Sequence, residues 1–119
     1  MHVLIIEDEA LLAMNLQCFL EELGADSFAL AETEADAVRL ALEHPPDLIT
    51  ADVNLREGTG PEAVRVIRSR IGEIPVVYVT GDPAALPPLD DHSCTVRKPI
   101  LWLDLAEAVH VQANLPAVT

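Results

Sequence analysis

The chain repeats one pattern five times: a short run of aliphatic and β-branched residues, then a longer amphipathic run. A side-chain period of two suits a strand and a period of 3.6 suits a helix, so this alternation is the main constraint on the fold. His2–Ile6 reads as the first strand. Glu9–Leu23 reads as a helix, with Leu12, Leu16, Phe19 and Leu23 at near-helical spacing and Gly24 as its stop. Asp26–Leu30 is a weaker strand, and Thr33–His44 a helix with Val38, Ala41 and Leu42 on one face. Pro45-Pro46 ends it, and Asp47–Ala51 ("DLITA") is a third strand. Gly60-Pro61 opens another helix, with Val64, Ile67 and Ile71 inward and Arg65, Arg68 and Arg70 toward water. "IPVVYV" (Ile74–Val79) is continuous enough to be a strand covered on both faces. "CTV" (Cys94–Val96) is a short fifth strand, and Leu101–Ala113 the last helix, carried by Leu105, Ala108 and Val109. Strict alternation dictates an α/β fold: a doubly wound parallel sheet with helices on both faces, joined by right-handed crossovers.

One crossover is irregular. The span "GDPAALPPLDDHSCTVR" between Thr80 and Lys98 carries prolines at 83, 87 and 88. Proline inside a helix removes a hydrogen bond and clashes with the preceding turn, at a cost of about 3 kcal/mol. A shortened or irregular fourth helix in a mobile, loop-rich segment is the expectation there. Residues 114–119 ("NLPAVT") read as a frayed tail, which makes 1–119 one domain with no output domain after it.

No apolar run approaches the roughly 20 residues that span a bilayer, and the apolar start has no basic flank. A cytoplasmic protein without membrane insertion is the reading. The net charge of −13, from 20 acids against 7 bases, argues against direct nucleic-acid binding. Cys18 and Cys94 have no metal or redox spacing and read as buried, reduced thiols. His2, His44, His92 and His110 are scattered and read as surface or partly buried residues, and Trp102 as an anchor on the core.

Ligands in such sheets bind at the carboxyl ends of the strands. The first strand runs straight into Glu7, Asp8 and Glu9, which places these acids on the rim of a site. The third strand delivers Asp52, the fourth Thr80, and the fifth leads into Lys98-Pro99. Lys98 is the only lysine, the other six bases being arginines, and a compact ammonium suits a phosphate or a site whose occupancy changes. Carboxylates about 4 Å apart repel by about 4 kcal/mol per pair at an effective dielectric near 20. Either one of them protonates or a divalent cation intervenes. Oxygen-only ligands favour Mg2+, with Mn2+ the other possibility, over zinc. In that setting Asp52 is equipped to attack phosphorus and form an acyl phosphate. Lys98 would neutralise charge on the transferring oxygens, and Thr80 Oγ1 would donate to one of them.

The set "IIEDE", "TADVNL", "VYVTG" and "VRKP" resembles the receiver domain of two-component response regulators over nearly the whole chain. That resemblance implies a flavodoxin-like five-stranded sheet of order 2-1-3-4-5. It implies Asp52 as phospho-acceptor, with Mg2+ held by Asp8, Asp52 and the backbone carbonyl of Asn54, and by Glu7 through water. Thr80 becomes the switch hydroxyl, Lys98 the phosphate-pairing lysine, and the Lys98–Pro99 bond cis. The implied partners are a sensor histidine kinase or histidine phosphotransfer protein, an output protein, and a second copy of the chain in a homodimer.

Two departures stand out. Where many receivers place an aromatic residue three positions before the lysine, this chain has Thr95. Tyr78, the only tyrosine, shares a strand face with Thr80; "PVVYVTGD" is similar to the FATGUY receiver subfamily at Pro75, Tyr78, Thr80 and Gly81, and departs from it at Val76, Val79 and Asp82. Tyr78 therefore reads either as a switch aromatic or as a packing residue. The proline-rich span leaves the usual docking face altered, and a change of its order on phosphorylation is a second expectation. Two other functions compete with the receiver: a phosphorylation-independent binding module, and an aspartyl-phosphate phosphohydrolase. The latter lacks the usual second acid two residues past the nucleophile, where Asn54 stands.

Overall fold

A computed structural model describes residues 1–113; the expected frayed tail lies outside the described residues. The strands are β1 (His2–Ile6), β2 (Ser27–Ala31), β3 (Leu48–Ala51), β4 (Val76–Thr80) and β5 (Ser93–Arg97). The helices are α1 (Ala10–Glu22), α2 (Glu34–Glu43), α3 (Gly60–Ile71) and α4 (Trp102–Ala113). All strand pairings are parallel and the sheet order is β2-β1-β3-β4-β5, the flavodoxin-like arrangement.

Residue type explains the layering. Every residue of β1, β3 and β4 is buried, as interior strands covered on both faces must be. Alternate residues then feed two cores. Val3, Ile5, Val77, Val79 and Val96 meet Leu16 and Leu20 of α1 and Leu105 and Val109 of α4. Leu4, Ile6, Ile49, Ala51, Val76 and Tyr78 meet Ala37 and Ala41 of α2 and Ala63, Val64 and Ile67 of α3. Thr33 and Thr59 cap α2 and α3 by accepting from the Asp36 and Glu62 amides, each at 3.2 Å. No described helix is long and apolar enough to cross a membrane.

Several expectations are corrected. Leu42 turns outward, because the buried stripe of α2 runs through Ala37 and Ala41 instead. Cys18 is exposed on α1 rather than buried. His2 is buried, its ring stacked on His44 with centroids 3.7 Å apart and its Nδ1 2.8 Å from Ser27 Oγ. Trp102 is half-buried and meets Phe19 edge-on at 5.5 Å.

The β4–β5 connection holds no α-helix, only a single 3-10 turn at Pro83–Ala85. Arg68, expected to face water, is what ties this connection down. From α3 its guanidinium donates to Ile74 O (3.0 Å), His92 O (3.0 Å), Ser93 Oγ (3.1 Å) and Asp90 Oδ2 (2.9 Å). Only the planar five-donor fork of arginine can serve so many acceptors at once. A cavity of about 670 Å³ lies between α3 and the connection, with Tyr78, Val64, Leu86 and Pro87 in its walls.

Candidate functional site

The five strands run in one direction, so their carboxyl ends share one edge of the sheet. Each site residue is also fixed through its own backbone by the neighbouring strand. Glu7 N donates to Ala31 O at 2.8 Å, Asp52 N to Ile6 O at 2.9 Å, and Lys98 N to Thr80 O at 3.0 Å. The ladders thus continue one step past the strands and set the heights of the acids, the hydroxyl and the amine relative to one another.

The side chains converge. Lys98 Nζ donates to Asp52 Oδ2 at 2.9 Å and lies 3.1 Å from Glu7 Oε1. Asp52 Oδ1 accepts from the Val53 amide at 2.7 Å, and Glu7 Oε2 from the Glu9 amide at 3.1 Å. Glu7, Asp8 and Asp52 each bring a carboxylate oxygen within 4.8 Å of the others. The Lys98–Pro99 peptide bond is cis.

Glu7 does not lie on the rim: it is 3% exposed, sunk beneath half-buried Asp8 and Asp52. Burial, with Asp52 adding repulsion against the opposing Glu9 amide and Lys98 ammonium, pushes the Glu7 carboxyl up to about 7. Burial is the main cause, and the repulsion anticipated from the sequence adds to it at this most deeply set acid of the cluster. Lys98 is held above its ordinary range: partial burial disfavours its charge, but the bond to Asp52 and the adjacent Glu7 carboxylate outweigh that.

The remaining candidates have different surroundings. Thr80 is 1% exposed, and its Oγ1 accepts from the Asp82 amide at 3.0 Å, leaving the hydroxyl proton to be donated elsewhere. Tyr78 is buried in the α2–α3 core, opposite Ala51 and Thr95 in register, and burial raises its hydroxyl above the ordinary value. Asn54 is exposed at the base of a turn, bridged to Thr59.

The acids suit a hard divalent cation. All three donors are oxygens, and Glu7 Oε1 is buried without a hydrogen bond, since Lys98 lies near it outside bonding geometry. One ammonium shared between Glu7 and Asp52, with Asp8 alongside and a buried Glu7 oxygen lacking a hydrogen bond, leaves a shortage of positive charge.

Sequence reasoning missed Gly60. A methyl carbon at that position would fall deep inside the 3.0 Å limit of real contacts from Asp52 O, and 2.9 Å from the Asp52 carbonyl carbon. The start of α3 thus presses against the backbone of Asp52, which only glycine allows. The Gly-Pro pair read as a helix start gave no hint of this contact. A second cavity, of about 440 Å³, opens beside Lys98, walled by Leu11, Leu12, Phe19, Pro99 and Ile100.

Comparison with known proteins agrees with this geometry. The family model described as the response regulator receiver domain matches residues 3–86. The phyllosphere-induced regulator PhyR of Methylorubrum extorquens is 41% identical over 83 residues, covering 68% of this chain and 31% of PhyR. The chemotaxis protein CheY of Bacillus subtilis is 36% identical over 66 residues, covering 56% of this chain and 55% of CheY. The solution structure of the receiver domain of Erythrobacter litoralis PhyR superposes with a TM-score of 0.82 at 30% identity, covering 99% of this chain and 95% of that one. Against full-length PhyR, then, the chain spans under a third of the relative's length.

Proposed function

The chain belongs to the response regulator receiver domains, and from that membership we propose that Asp52 accepts a phosphoryl group from a histidine kinase or a histidine phosphotransfer protein. One observation carries the assignment: Lys98 Nζ stands 2.9 Å from Asp52 Oδ2 and 3.1 Å from Glu7 Oε1, so residues far apart in sequence meet at one acid.

Asp8, Asp52 and the Asn54 carbonyl would hold Mg2+ directly, with Mn2+ the alternative ion and Glu7 contributing through water. The ion, when bound, supplies positive charge to the transferring oxygens. The protein does the rest. An Asp52 oxygen attacks phosphorus as the bond to the donor's imidazole nitrogen breaks, and that nitrogen keeps the electron pair. Lys98, released from Asp52 Oδ2, pairs with a phosphoryl oxygen. Thr80 donates its free hydroxyl proton to another, and any movement of Thr80 reaches the β4–β5 connection through the Asp82 amide. Tyr78 lies under that connection as the aromatic part of the switch. The apolar cavity beside Lys98 gives a donor protein a footing next to the acceptor. Output then passes to a protein partner, or to a second copy of the chain, and the setting is cytoplasmic.

Intact mass after incubation with Mg2+ and acetyl phosphate tests this reading. A single phosphoryl adduct, absent from Asp52→Ala, is the expected result. No adduct points to a phosphorylation-independent module, and rapid turnover without accumulation to a phosphohydrolase; either outcome defeats the proposal.

A further inference from the structure

The acceptor turn has a support outside the site. Residues 53–59 form the turn that starts from Asp52 and returns at Gly60 against the Asp52 carbonyl. Asn54 and Thr59 bridge across it, and Gly60 N closes it on Val53 O at 2.9 Å. The turn leans on the N-terminus of α2 through one residue, Glu34. Glu34 N donates to Glu57 O at 3.0 Å, and Glu34 Oε1 accepts from Thr59 N at 3.2 Å. Between these two bonds sits Gly58, with φ +82°, a conformation that glycine adopts freely. Its missing side chain leaves the space that Glu34 fills: a Cβ on Gly58 would lie 2.5 Å from Glu34 Cβ and 2.6 Å from Oε1. The neighbouring Arg56–Glu32 pair, 2.8 Å, joins two exposed side chains and adds little.

We infer that Glu34 is a positioning residue for the phospho-acceptor turn. It touches none of the reacting atoms. It holds Thr59; the flanking Leu55 N–Gly58 O (3.4 Å) and Gly60 N–Val53 O (2.9 Å) bonds clamp Thr59 opposite Asn54, and Asn54 presents the carbonyl assigned above to Mg2+. Asp52 is held at the other end of the same turn by Gly60. The carboxylate suits this task, because a charged acceptor holds an amide more firmly than a neutral one. The inference rests on the receiver reading of the site, and the pairing also runs in reverse. A cation on the Asn54 carbonyl stiffens the turn, so the start of α2 feels the state of the site from outside it.

The test is Mg2+ titration alone, by calorimetry, together with amide exchange at Thr59, on wild type, Glu34→Ala and Glu34→Gln. Losing one hydrogen bond that orders a ligand predicts Mg2+ binding weaker by about three- to tenfold in Glu34→Ala, with faster exchange at Thr59. Glu34→Gln keeps an acceptor oxygen and is expected to recover most of both. Should Glu34→Ala fail to fold, Glu34→Asp, one methylene short of Thr59, carries the same prediction. Arg56→Ala serves as the control and is expected to bind Mg2+ like wild type. Unchanged Mg2+ affinity in the Glu34 variants overturns the inference even if Thr59 exchange speeds up, since Glu34 would then be only a structural tie. If wild type itself neither binds Mg2+ nor forms an adduct, the receiver reading fails instead.

Discussion

Gly60→Ala gives the sharpest test of how the site is built. The added methyl cannot coexist with Asp52 O, and its next neighbours are the Asp52 carbonyl carbon at 2.9 Å and Ala51 Cβ at 3.4 Å. All three belong to the strand end carrying the acceptor, and none is the tip of a flexible side chain. Restoring even the 3.0 Å limit requires the Asp52 peptide or the start of α3 to retreat by about 1 Å or more. Overpacking of that kind costs about 1–3 kcal/mol of stability. The effect on chemistry is larger in proportion, because a shift of about 1 Å in a reacting group costs about a hundredfold in rate. The assay is the time course of adduct formation from acetyl phosphate at saturating Mg2+, normalised to the folded fraction from urea unfolding. Gly81→Ala is the matched control: it adds the same methyl beside Thr80, where no atom lies within 4 Å. If folded Gly60→Ala forms adduct within about twofold of wild type, the contact does not position the acceptor and the reasoning fails.

Other outcomes follow from the same geometry. Lys98→Met is expected to slow adduct formation by about a hundredfold or more at saturating Mg2+, as for loss of one preorganised donor, with Asp52 still the modified residue by peptide mapping. Arg68→Ala is expected to cost about 2–3 kcal/mol in urea unfolding, through the carbonyls and the Asp90 carboxylate it abandons. Arg68→Lys is expected not to rescue it, since an ammonium cannot span the same acceptors. His2 sets a pH dependence. Burial, then neighbouring His44, lowers it below its ordinary 6.5, so the unfolded chain takes up a proton that the folded chain refuses. The His2 contribution is therefore constant well above pH 6.5 and turns against folding as pH falls through that value. His2→Phe should lose less stability than wild type between pH 7.5 and 5.5, by up to about 1.4 kcal/mol per pH unit; equal losses would refute the burial argument.

The fold was legible because two periodicities do not overlap. VLII and VVYV are short, β-branched and bounded by polar residues or proline, which suits strands, and the helices between them show apolar stripes plainly enough to place all four site segments at one edge. The legible part of the site was the part supplied by strand ends. Burial was harder to read. Glu7 looked like a rim acid because carboxylates normally stay wet, and its depth depends on the Ala31 carbonyl that pins its backbone. Arg68 looked solvated for the same reason, since two of its four acceptors are main-chain carbonyls, which no sequence displays. Gly60 and Glu34 act through close approach of helix starts to the acceptor turn, a property of three-dimensional spacing rather than of residue pattern.

The way Arg68 grips the β4–β5 connection has a consequence for how such a chain can diverge. Its bonds fall on Asp90, His92 O and Ser93 at the far end of the connection, and on Ile74 O outside it. Residues 83–89 supply none of them. A crossover helix would oblige that stretch to keep an apolar stripe in phase with the sheet; a single guanidinium asks for nothing of the kind. Substitutions between Pro83 and Leu89, with Leu86 the exception for its packing, can therefore accumulate at little thermodynamic cost, and new recognition sequences can be tried there without reopening the question of whether the domain folds.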